Sequence, residues 1–254
     1  MIYCEDCLET MKKRIYENSV DVILTSPPYN INRHDFQYDK YKDKKDSEEY
    51  SNFILNVFHS FEKILKLNGV IIWNWSFGNS NISEFFILLS KIIAETDFEL
   101  KDRIIWKKNC AMPDNLNPNK LTRIVEDVFI FGRKGQTINT NKKQSSVRKS
   151  GQKMYKPIYN FIEAKNNDGS NNLNKATFST ELVLQLLNIY CNKNDLLYDP
   201  FIGTGTTAVA FEAWGGSTWI GSEISEKQVE YANRRIKLGG MYEEIESEDK
   251  LFDW

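Results

Sequence analysis

The chain has 254 residues, of which 41% are hydrophobic and 27% are charged, and its formal net charge at pH 7 is −2. A chain of this length and composition can bury a sizeable core, which excludes a protein that is disordered throughout. No stretch approaches the roughly 18 apolar residues that span a bilayer, and the N-terminus lacks the pattern of a secretory signal peptide. The sequence therefore predicts a folded cytoplasmic protein with no membrane partner.

The four cysteines do not predict a metal site. Structural zinc sites usually need two matched cysteine pairs, or one pair with neighbouring histidines. This chain has a single Cys-x-x-C, from Cys4 to Cys7, and its histidines, His34 and His59, stand apart from it in the sequence. We therefore expect reduced, structural thiols and no metal.

Apolar patterning in the first half of the chain predicts alternating strands and helices. Short runs rich in β-branched residues predict strands, and apolar residues at helical spacing predict helices. In chain order these are a strand at 19–26, a helix at 47–67, a turn and strand at 68–76, a helix at 81–96, and strands at 102–108 and 127–134. This is the pattern of an α/β protein.

A long polar stretch at 135–174 interrupts the alternation. The apolar groups of "MYKPIYNFI" inside it favour a loop-rich insertion over a flexible linker. From Arg133 to Lys175 the chain has ten basic and two acidic residues, a local charge of +8. They are Arg133, Lys134, Lys142, Lys143, Arg148, Lys149, Lys153, Lys156, Lys165 and Lys175 against Glu163 and Asp168. The tail at 241–254 is acidic, and we expect it to be a solvated end.

The alternation resumes after the insertion. The pattern predicts a helix at 179–191, a strand at 195–200, a glycine turn entering a helix at 203–214, a strand at 217–224 and a helix at 225–239. Strands that alternate with helices predict a mostly parallel sheet covered on both faces. We therefore expect one α/β domain whose two halves, 1–134 and 175–240, flank the insertion at 135–174.

The segment "DPFIGTGTT", Asp199 to Thr207, predicts a nucleotide-like ligand. An acidic residue ends a strand there, and Gly203 and Gly205 precede a helix whose first amides are free. Glu223 closes the next strand, where dinucleotide-binding folds place a ribose-binding acid. The Gly-Lys-Ser/Thr ending of a Walker loop is absent. This motif alone leaves a nicotinamide cofactor, an adenosine-type ligand and a plain tight turn open.

A second motif, "TSPPYN" at 25–30, ends the first strand with a hydroxyl, two rigid prolines, an aromatic ring and an amide. Together with "FIGTG" at 201–205, it resembles the motifs of the DNA amino-methyltransferases, which use S-adenosylmethionine to methylate N4 of cytosine or N6 of adenine. The catalytic motif comes first, the basic region follows and the cofactor motif comes last, which is similar to the β-type circular order of that family. The resemblance implies a Rossmann-like methyltransferase fold, with a mixed, mostly parallel sheet, helices on both faces and a loop-rich target-recognition insertion.

The resemblance also implies S-adenosylmethionine as the cofactor. Asp199 would accept a hydrogen bond from its amino group, Glu223 would accept from its ribose hydroxyls, and Asp6 would lie at its adenine edge. The segment "KATFSTELV" corresponds to one that lines the methionine end, with Lys175-Ala176 where many relatives have His-Pro. The predicted cofactor-binding residues are Asp6, Thr177, Phe178, Ser179, Asp199, Phe201, Gly203, Gly205, Thr206, Thr207 and Glu223.

Ser26, Pro27, Pro28 and Tyr29 are the predicted catalytic residues. An exocyclic amino nitrogen is a poor nucleophile because its lone pair is delocalised into the ring, so acceptors aimed at its N–H groups favour attack. The Ser26 oxygen and the Pro27 carbonyl are such acceptors, and the prolines hold them in place. Tyr29 would stack on a base that has left the duplex.

The basic insertion is the predicted target-recognition region, which contacts phosphates and reads bases in double-stranded DNA. The predicted DNA-binding residues are Lys142, Lys143, Arg148, Lys149 and Lys153. Further candidates are Arg123 and Glu126, to face DNA, and Trp73, Asn74 and Trp75, to border the cofactor or the base. The resemblance adds a homodimer and a cognate restriction endonuclease as candidate partners.

Ser before the two prolines, as in "LTSPPY", favours N4 of cytosine as the target, because family members with Asp or Asn at that position lean toward N6 of adenine. N6 of adenine by the same mechanism is the alternative. The carbon-5 class is disfavoured, since the chain has no Pro-Cys pair. A nicotinamide-dependent oxidoreductase would explain the glycine motif but not "TSPPYN". A catalytically silent DNA-binding subunit would keep the fold and the basic insertion.

Overall fold

The computed structural model describes residues 1–30, 45–76, 82–111, 118–169 and 177–240. The strands are β1 (Ile2–Tyr3), β2 (Val20–Thr25), β3 (Leu65–Trp75), β4 (Phe98–Lys108), β5 (Val125–Arg133), β6 (Gln144–Val147), β7 (Lys153–Tyr155), β8 (Phe161–Ala164), β9 (Leu196–Asp199) and β10 (Thr218–Ser222). The helices are α1 (Cys7–Lys13), α2 (Ser47–Ile64), α3 (Ile82–Glu95), α4 (Thr180–Tyr190), α5 (Thr206–Trp214) and α6 (Glu226–Lys237). Within these ranges, no helix combines the length and the apolar character needed to cross a bilayer.

One large sheet runs through the molecule in the order β1-β10-β9-β2-β3-β5-β4-β8. The first five strands in this order are parallel, β5 is antiparallel to both of its neighbours, and β8 is parallel to β4. The mixed, mostly parallel sheet confirms the predicted α/β, Rossmann-like architecture. It also places β2, from the start of the chain, directly beside β9, from its last third.

Two apolar cores cover the two faces of this sheet. Side chains alternate between them along each central strand, so that in β3 Ile71 and Trp73 enter one core whereas Ile72 enters the other. Helices α1, α2 and α3 pack on the first face, and α4 and α5 pack on the second. Strands buried on both faces are expected to be nearly continuous apolar runs, as "VDVIL" and "VIIW" are.

The structure corrects the predicted boundary between α2 and β3. The helix ends at Ile64, so its predicted extension to residue 67 is wrong, as is the predicted turn at 68–69, which lies within β3. Leu65 is fully buried and pairs with Val20 of β2, and the register shifts before Val22 pairs with Val70. The pairing of Leu65 with the sheet therefore outweighs the helical spacing of the apolar residues here.

The basic segment contains more regular structure than the predicted loops. Strands β6 and β7 form a separate two-stranded hairpin, and β8 joins the main sheet beside β4. The short elements β1 and α1 are also additions to the predicted pattern. The acidic tail at 241–254 and the segment 170–176, with Lys175-Ala176, lie outside the described residues.

Candidate active site

The two halves of the chain meet where β2 and β9 lie side by side, with Ile23 opposite Tyr198. Because the strands are parallel, their carboxyl ends reach the same edge of the sheet, where ligands bind in open α/β folds. There the Thr25 hydroxyl donates a hydrogen bond to Asp199 Oδ1 at 2.5 Å, and both side chains are buried. The "TSPPYN" and glycine motifs are therefore joined by a direct contact.

Beyond Thr25, the Tyr29 hydroxyl lies 2.8 Å from the Ser26 hydroxyl, three residues earlier in the chain. The two intervening prolines restrict φ and stiffen the backbone between these side chains. Asn74 Nδ2, at the end of β3, donates to the Tyr29 hydroxyl at 2.8 Å, and the Tyr29 hydroxyl donates to Glu126 Oε2 of β5 at 3.1 Å. Asn74 Nδ2 also lies 3.1 Å from Glu126 Oε2 and 3.4 Å from Ser26 Oγ. We call Ser26, Tyr29, Asn74 and Glu126 the hydroxyl network.

A lysine on the neighbouring strand holds Glu126. Lys108 Nζ of β4 forms an ion pair with Glu126 Oε1, and the two side chains are 22% and 11% exposed. The two carboxylate oxygens therefore have different partners, since Oε2 faces the hydroxyl network. Asn74 is buried, and its Oδ1 has no hydrogen-bond partner among the described residues. Among the described contacts, Asn74 therefore joins the network through its amide nitrogen alone.

Two further contacts fix the backbone of the motif. The Tyr50 hydroxyl of α2 donates to the Pro28 carbonyl at 2.7 Å and accepts from the indole N–H of Trp75 at 3.3 Å. Asn30 has a positive φ of 55°, which Asn tolerates better than most residues, and its side chain exchanges hydrogen bonds of 2.9 and 2.8 Å with the backbone of Lys45. The acceptors of the motif are therefore held on a rigid frame.

The glycine motif forms the turn between β9 and α5. Gly203 and Gly205 have positive φ values of 52° and 85°, which favour glycine. A Cβ on Gly205 would also lie 3.1 Å from the Cβ of Ala232 in α6, so the close packing against α6 favours glycine as well. Gly205 is the N-cap residue of α5 and has no side chain to cap the helix, which leaves the first amides of α5 available to a ligand.

Two carboxyl groups stand beside this turn, at the ends of neighbouring strands. Burial raises the pKa of Asp199 to about 6, although the Thr25 hydroxyl and the Phe201 amide, at 3.0 Å, donate hydrogen bonds to it. Burial also raises the pKa of Glu223, whose carboxylate accepts from the Ser225 amide at 2.9 Å and from the Gly203 amide. A ligand that donates amino or hydroxyl hydrogens would stabilise their charged forms.

The remaining predicted cofactor residues have structural contacts of their own. Asp6 is exposed and caps α1 by accepting from the Leu8 amide at 2.8 Å. Phe178 is buried in the second core, Ser179 caps α4, and Thr177 is half-buried beside them. The observed roles of these residues are capping and packing, and their contacts with a cofactor stay predictions.

A buried arginine lies behind the glycine turn. Arg235 of α6 donates to the Thr204 carbonyl at 3.3 Å and to Thr206 Oγ1 at 2.9 Å, and it pairs with Asp168 at 2.6 Å. Asp168, at the exit of the basic segment, also accepts from the amide and hydroxyl of Thr180 at 2.7 and 2.9 Å. This bridge ties the glycine turn to α4 and to the basic segment.

These groups fit an adenosine-containing cofactor. Acceptors for amino and hydroxyl hydrogens are present in Asp199 and Glu223, and free amides are present at the start of α5. The Thr204 hydroxyl is buried in the turn and has no hydrogen-bond partner within the described part of the chain. Phe201 adds a half-buried ring, and Thr207 lies buried on α5. Such a mixture of a few polar groups and apolar surface is typical of small-molecule sites.

The predicted DNA-binding residues lie on or beside the β6–β7 hairpin and are exposed. Lys142 and Lys143 precede β6, Arg148 and Lys149 lie in the turn, and Lys153 begins β7. The two acidic residues of the basic segment pair elsewhere, Glu163 with Lys107 and Asp168 with Arg235. Considering only residues that the structure describes, none of the five cations forms an ion pair. The hairpin therefore presents uncompensated positive charge.

The sequence did not predict Tyr50, Lys108 or Arg235. It named Asn74 only as a residue bordering the cofactor or the base, and Glu126 only as a residue facing DNA. Tyr50 and Arg235 lie on amphipathic helices, where their spacing is that of ordinary packing residues. Asn74 and Glu126 become neighbours only through the register of β3 and β5, in which Asn74 pairs with Val128. No local signal in the sequence predicts such a register.

Comparison with known proteins agrees with this geometry. Residues 20–234 match the N6/N4 methyltransferase family model, described as DNA methylase. The chain is 26% identical to orphan methyltransferase M.BamHII of Bacillus amyloliquefaciens, with 89% of this chain and 92% of the relative covered. It is also 26% identical to the Type II methyltransferase M.BglII of Bacillus subtilis, with 86% and 64% covered.

Solved structures show the same fold. The PvuII DNA methyltransferase, described as cytosine-N4-specific, superposes with a TM-score of 0.71 at 20% identity, covering 98% of this chain and 88% of that one. The M1.HpyAVI–SAM complex gives 0.63 at 23% identity, covering 93% and 98%. The family match includes both motifs and excludes a nicotinamide-dependent oxidoreductase. The chain belongs to the DNA methylase family of N4-cytosine and N6-adenine enzymes, and it is an S-adenosylmethionine-dependent DNA methyltransferase.

Proposed function

We propose that the protein methylates N4 of cytosine within a specific sequence of duplex DNA, with N6 of adenine as the alternative. The observation that carries the choice of base is Ser26, a hydroxyl rather than a carboxylate in front of the two prolines. The fold neighbour described as cytosine-N4-specific is 20% identical, so it supports the fold and not the base.

In this proposal, the Ser26 oxygen and the Pro27 carbonyl accept hydrogen bonds from the target amino group. Their acceptance makes the nitrogen lone pair more available at the moment of attack. The Tyr29 ring stacks on the base after it has left the duplex. Because Asn74 and Glu126 bind the Tyr29 hydroxyl, the ring is oriented before the base arrives.

The cofactor-binding residues are proposed to act from the other side of the Thr25–Asp199 contact. S-adenosylmethionine supplies an electrophilic methyl group bound to a positively charged sulfur. Asp199 accepts from the adenine amino group, Glu223 from the ribose hydroxyls, and the amides at the start of α5 remain free for further acceptors. Asp6 retains carboxylate lone pairs beyond the one used to cap α1, so it can also meet the adenine edge.

The basic segment is proposed to recognise DNA. Its five hairpin cations are exposed and, among the described residues, unpaired by carboxylates, so they are available for phosphates. Aromatic side chains accompany them, since Tyr155, Tyr159 and Phe161 are 50%, 75% and 47% exposed. Exposed aromatic rings among cations are typical of surfaces that contact both bases and phosphates.

A homodimer and a cognate restriction endonuclease remain proposals. Ile82, Phe86 and Ile87 of α3 are 42%, 46% and 58% exposed, and this apolar strip supports self-association. Light scattering of the wild-type protein and of Phe86→Glu would test self-association, with a dimer expected for the first and a monomer for the second.

An intracellular location follows from the same proposed reaction, because DNA and the cofactor are found there.

The deciding experiment identifies the methylated base. The purified protein is incubated with mixed-sequence duplex DNA and methyl-labelled S-adenosylmethionine, and the DNA is digested to nucleosides for mass spectrometry. We expect label in N4-methylcytosine. Label in N6-methyladenine would overturn the base and keep the mechanism. Cofactor binding without label on any DNA would instead favour an RNA substrate, a missing partner or a catalytically silent subunit.

A further inference from the structure

The hydrogens of the hydroxyl network can be assigned by counting donors. Tyr29 has one hydroxyl hydrogen, Asn74 Nδ2 only donates, and an ionised carboxylate only accepts. Since Glu126 Oε2 lies 3.1 Å from the Tyr29 oxygen, the phenolic hydrogen belongs to that contact. The 2.8 Å contact between Tyr29 and Ser26 must then use the hydrogen of Ser26.

The reverse assignment is disfavoured by the same geometry. If Tyr29 donated to Ser26, the phenolic oxygen would face Glu126 Oε2 with no hydrogen between them. Two oxygens with lone pairs at 3.1 Å repel each other, and the partly buried Glu126 Oε2 would keep Asn74 Nδ2 as its one described donor. The network therefore has one favoured direction, from Ser26 through Tyr29 to Glu126.

We propose that Glu126 is a positioning residue that makes Ser26 an acceptor, which rests on the proposed transfer to an exocyclic amino group. Because Ser26 donates its only hydroxyl hydrogen to Tyr29, its oxygen presents lone pairs to the incoming N–H group. With the opposite direction, Ser26 would have a hydrogen free to point at the target nitrogen, in competition with the methyl group for its lone pair. Glu126 acts through Tyr29 and Ser26 and need not touch the base.

Lys108 allows an experiment that distinguishes the proposed role of Glu126 from a role in packing alone. Its ammonium group faces Glu126 Oε1 and requires an oxygen there. In Glu126→Gln, the amide would turn its oxygen to Lys108 and its NH₂ group to Tyr29. The two hydrogens of Asn74 Nδ2 would then be left to Tyr29 and Ser26. Tyr29 would then accept from residue 126 and donate to Ser26, which reverses the network while the shape of the side chain is unchanged.

The experiment measures single-turnover methylation of duplex DNA together with cofactor affinity. We expect Glu126→Gln to lower the rate about 10-fold to 100-fold, with the cofactor Kd within about twofold of wild type. The double variant Lys108→Met with Glu126→Gln should recover about fivefold or more of that loss, because the glutamine can then turn its oxygen to Tyr29. Glu95→Gln, on the exposed end of α3, is the matched control and should retain the wild-type rate.

A second double-mutant cycle removes the Tyr29 hydroxyl, through which Glu126 is proposed to act on Ser26. In Tyr29→Phe the stacking ring remains but the hydroxyl is gone, so adding Glu126→Gln should change the rate by less than about twofold. Wild-type rates in Glu126→Gln, a double variant no better than Glu126→Gln alone, or a full additional loss in the Tyr29→Phe background would each overturn the proposal. A wild-type protein that methylates no DNA would instead refute the proposed function.

Discussion

The sheet edge and the β6–β7 hairpin, which the proposed reaction needs together, are built in opposite ways. At the edge, the Thr25–Asp199 pair is buried, and the hydroxyl network joins side chains of β3, β5 and the segment that follows β2. On the hairpin, the cations stand in solvent. Contacts in a low-dielectric interior depend steeply on geometry, whereas exposed charges act through screened attraction. Single substitutions should therefore be severe at the edge, and mild and additive on the hairpin.

The Arg235–Asp168 bridge ties the glycine turn to the basic segment that contains the hairpin, and it should show the largest effect. Arg235→Met leaves the carboxylate of Asp168, whose side chain is 14% exposed, without its guanidinium partner. We expect the free energy of unfolding to fall by about 3–5 kcal/mol, measured by urea denaturation. Lys237→Met, on the exposed side of the same helix, should change it by less than about 0.5 kcal/mol. Equal stabilities of the two variants would show that the bridge is not a structural link.

The buried Asp199 should give the edge a distinctive pH dependence. An acid with a raised pKa keeps its proton in the folded protein while the unfolded chain releases it, so stability falls as pH rises from about 4 to about 6. Asp199→Asn keeps an oxygen that accepts from Thr25 and Phe201. We expect it to stabilise the cofactor-free protein by up to about 3 kcal/mol at pH 7 and little at pH 4.

Urea denaturation at several pH values would measure this difference, with the exposed Asp97→Asn as the control. Parallel pH profiles for wild type and Asp199→Asn would contradict the assigned burial. The same substitution should weaken S-adenosylmethionine binding, because an amide cannot provide the charge that favours the cofactor's N–H donors. Gain of stability with loss of cofactor affinity would identify Asp199 as a functional residue that the fold alone does not favour.

Ser26→Ala tests the edge without a change of charge. We expect kcat to fall about 100-fold, because one preorganised acceptor is lost, while the KM for DNA stays within about threefold. Steady-state methylation of the identified site measures both constants. Ser60→Ala, at a half-buried position of α2, is the control. A change confined to KM would mean that Ser26 contributes binding and does not assist the transfer.

The hairpin cations should produce the smallest single effects. Replacing Lys142, Lys143 or Lys153 by Ala should weaken DNA binding only about twofold to tenfold each, and each loss should lower the dependence of binding on salt by about one unit. Fluorescence anisotropy of a labelled duplex over a salt series measures this, with Lys12→Ala of α1 as the control. Strongly non-additive losses of DNA affinity would show that these cations act together in a fixed geometry, as the side chains at the sheet edge do.

The main features of the fold follow from the sequence because the central strands are apolar on both faces and helices alternate with them. The segments "VDVIL" and "DLLYD" are parallel strands, as the alternation predicts, and the structure adds that they are neighbours. Their carboxyl ends carry the two motifs, so the place of the site was predictable as well. The predicted end of α2 was wrong at Leu65. This residue pairs with Val20 in the sheet, although the local spacing of apolar residues favours a helix there.

The partners of the motif residues were not predictable, because they depend on register and on packing between distant segments. Glu126 reaches Tyr29 from 97 residues away, and only the pairing of β3 with β5 aligns it. The Asp6 carboxylate illustrates the opposite problem, since a local helix cap and a cofactor contact require the same residue type. Sequence spacing cannot separate these two roles.

The adjacency of β2 and β9 also affects how the chain folds during its synthesis on the ribosome. Strand β2 emerges early, but its neighbour on one side is residues 196–199, which are made much later. Until then, Val22 and Ile23, nearly fully buried in the finished fold, lie on an unpaired apolar strand edge. Such edges pair readily with other chains, so nascent and truncated forms of this enzyme are prone to aggregate.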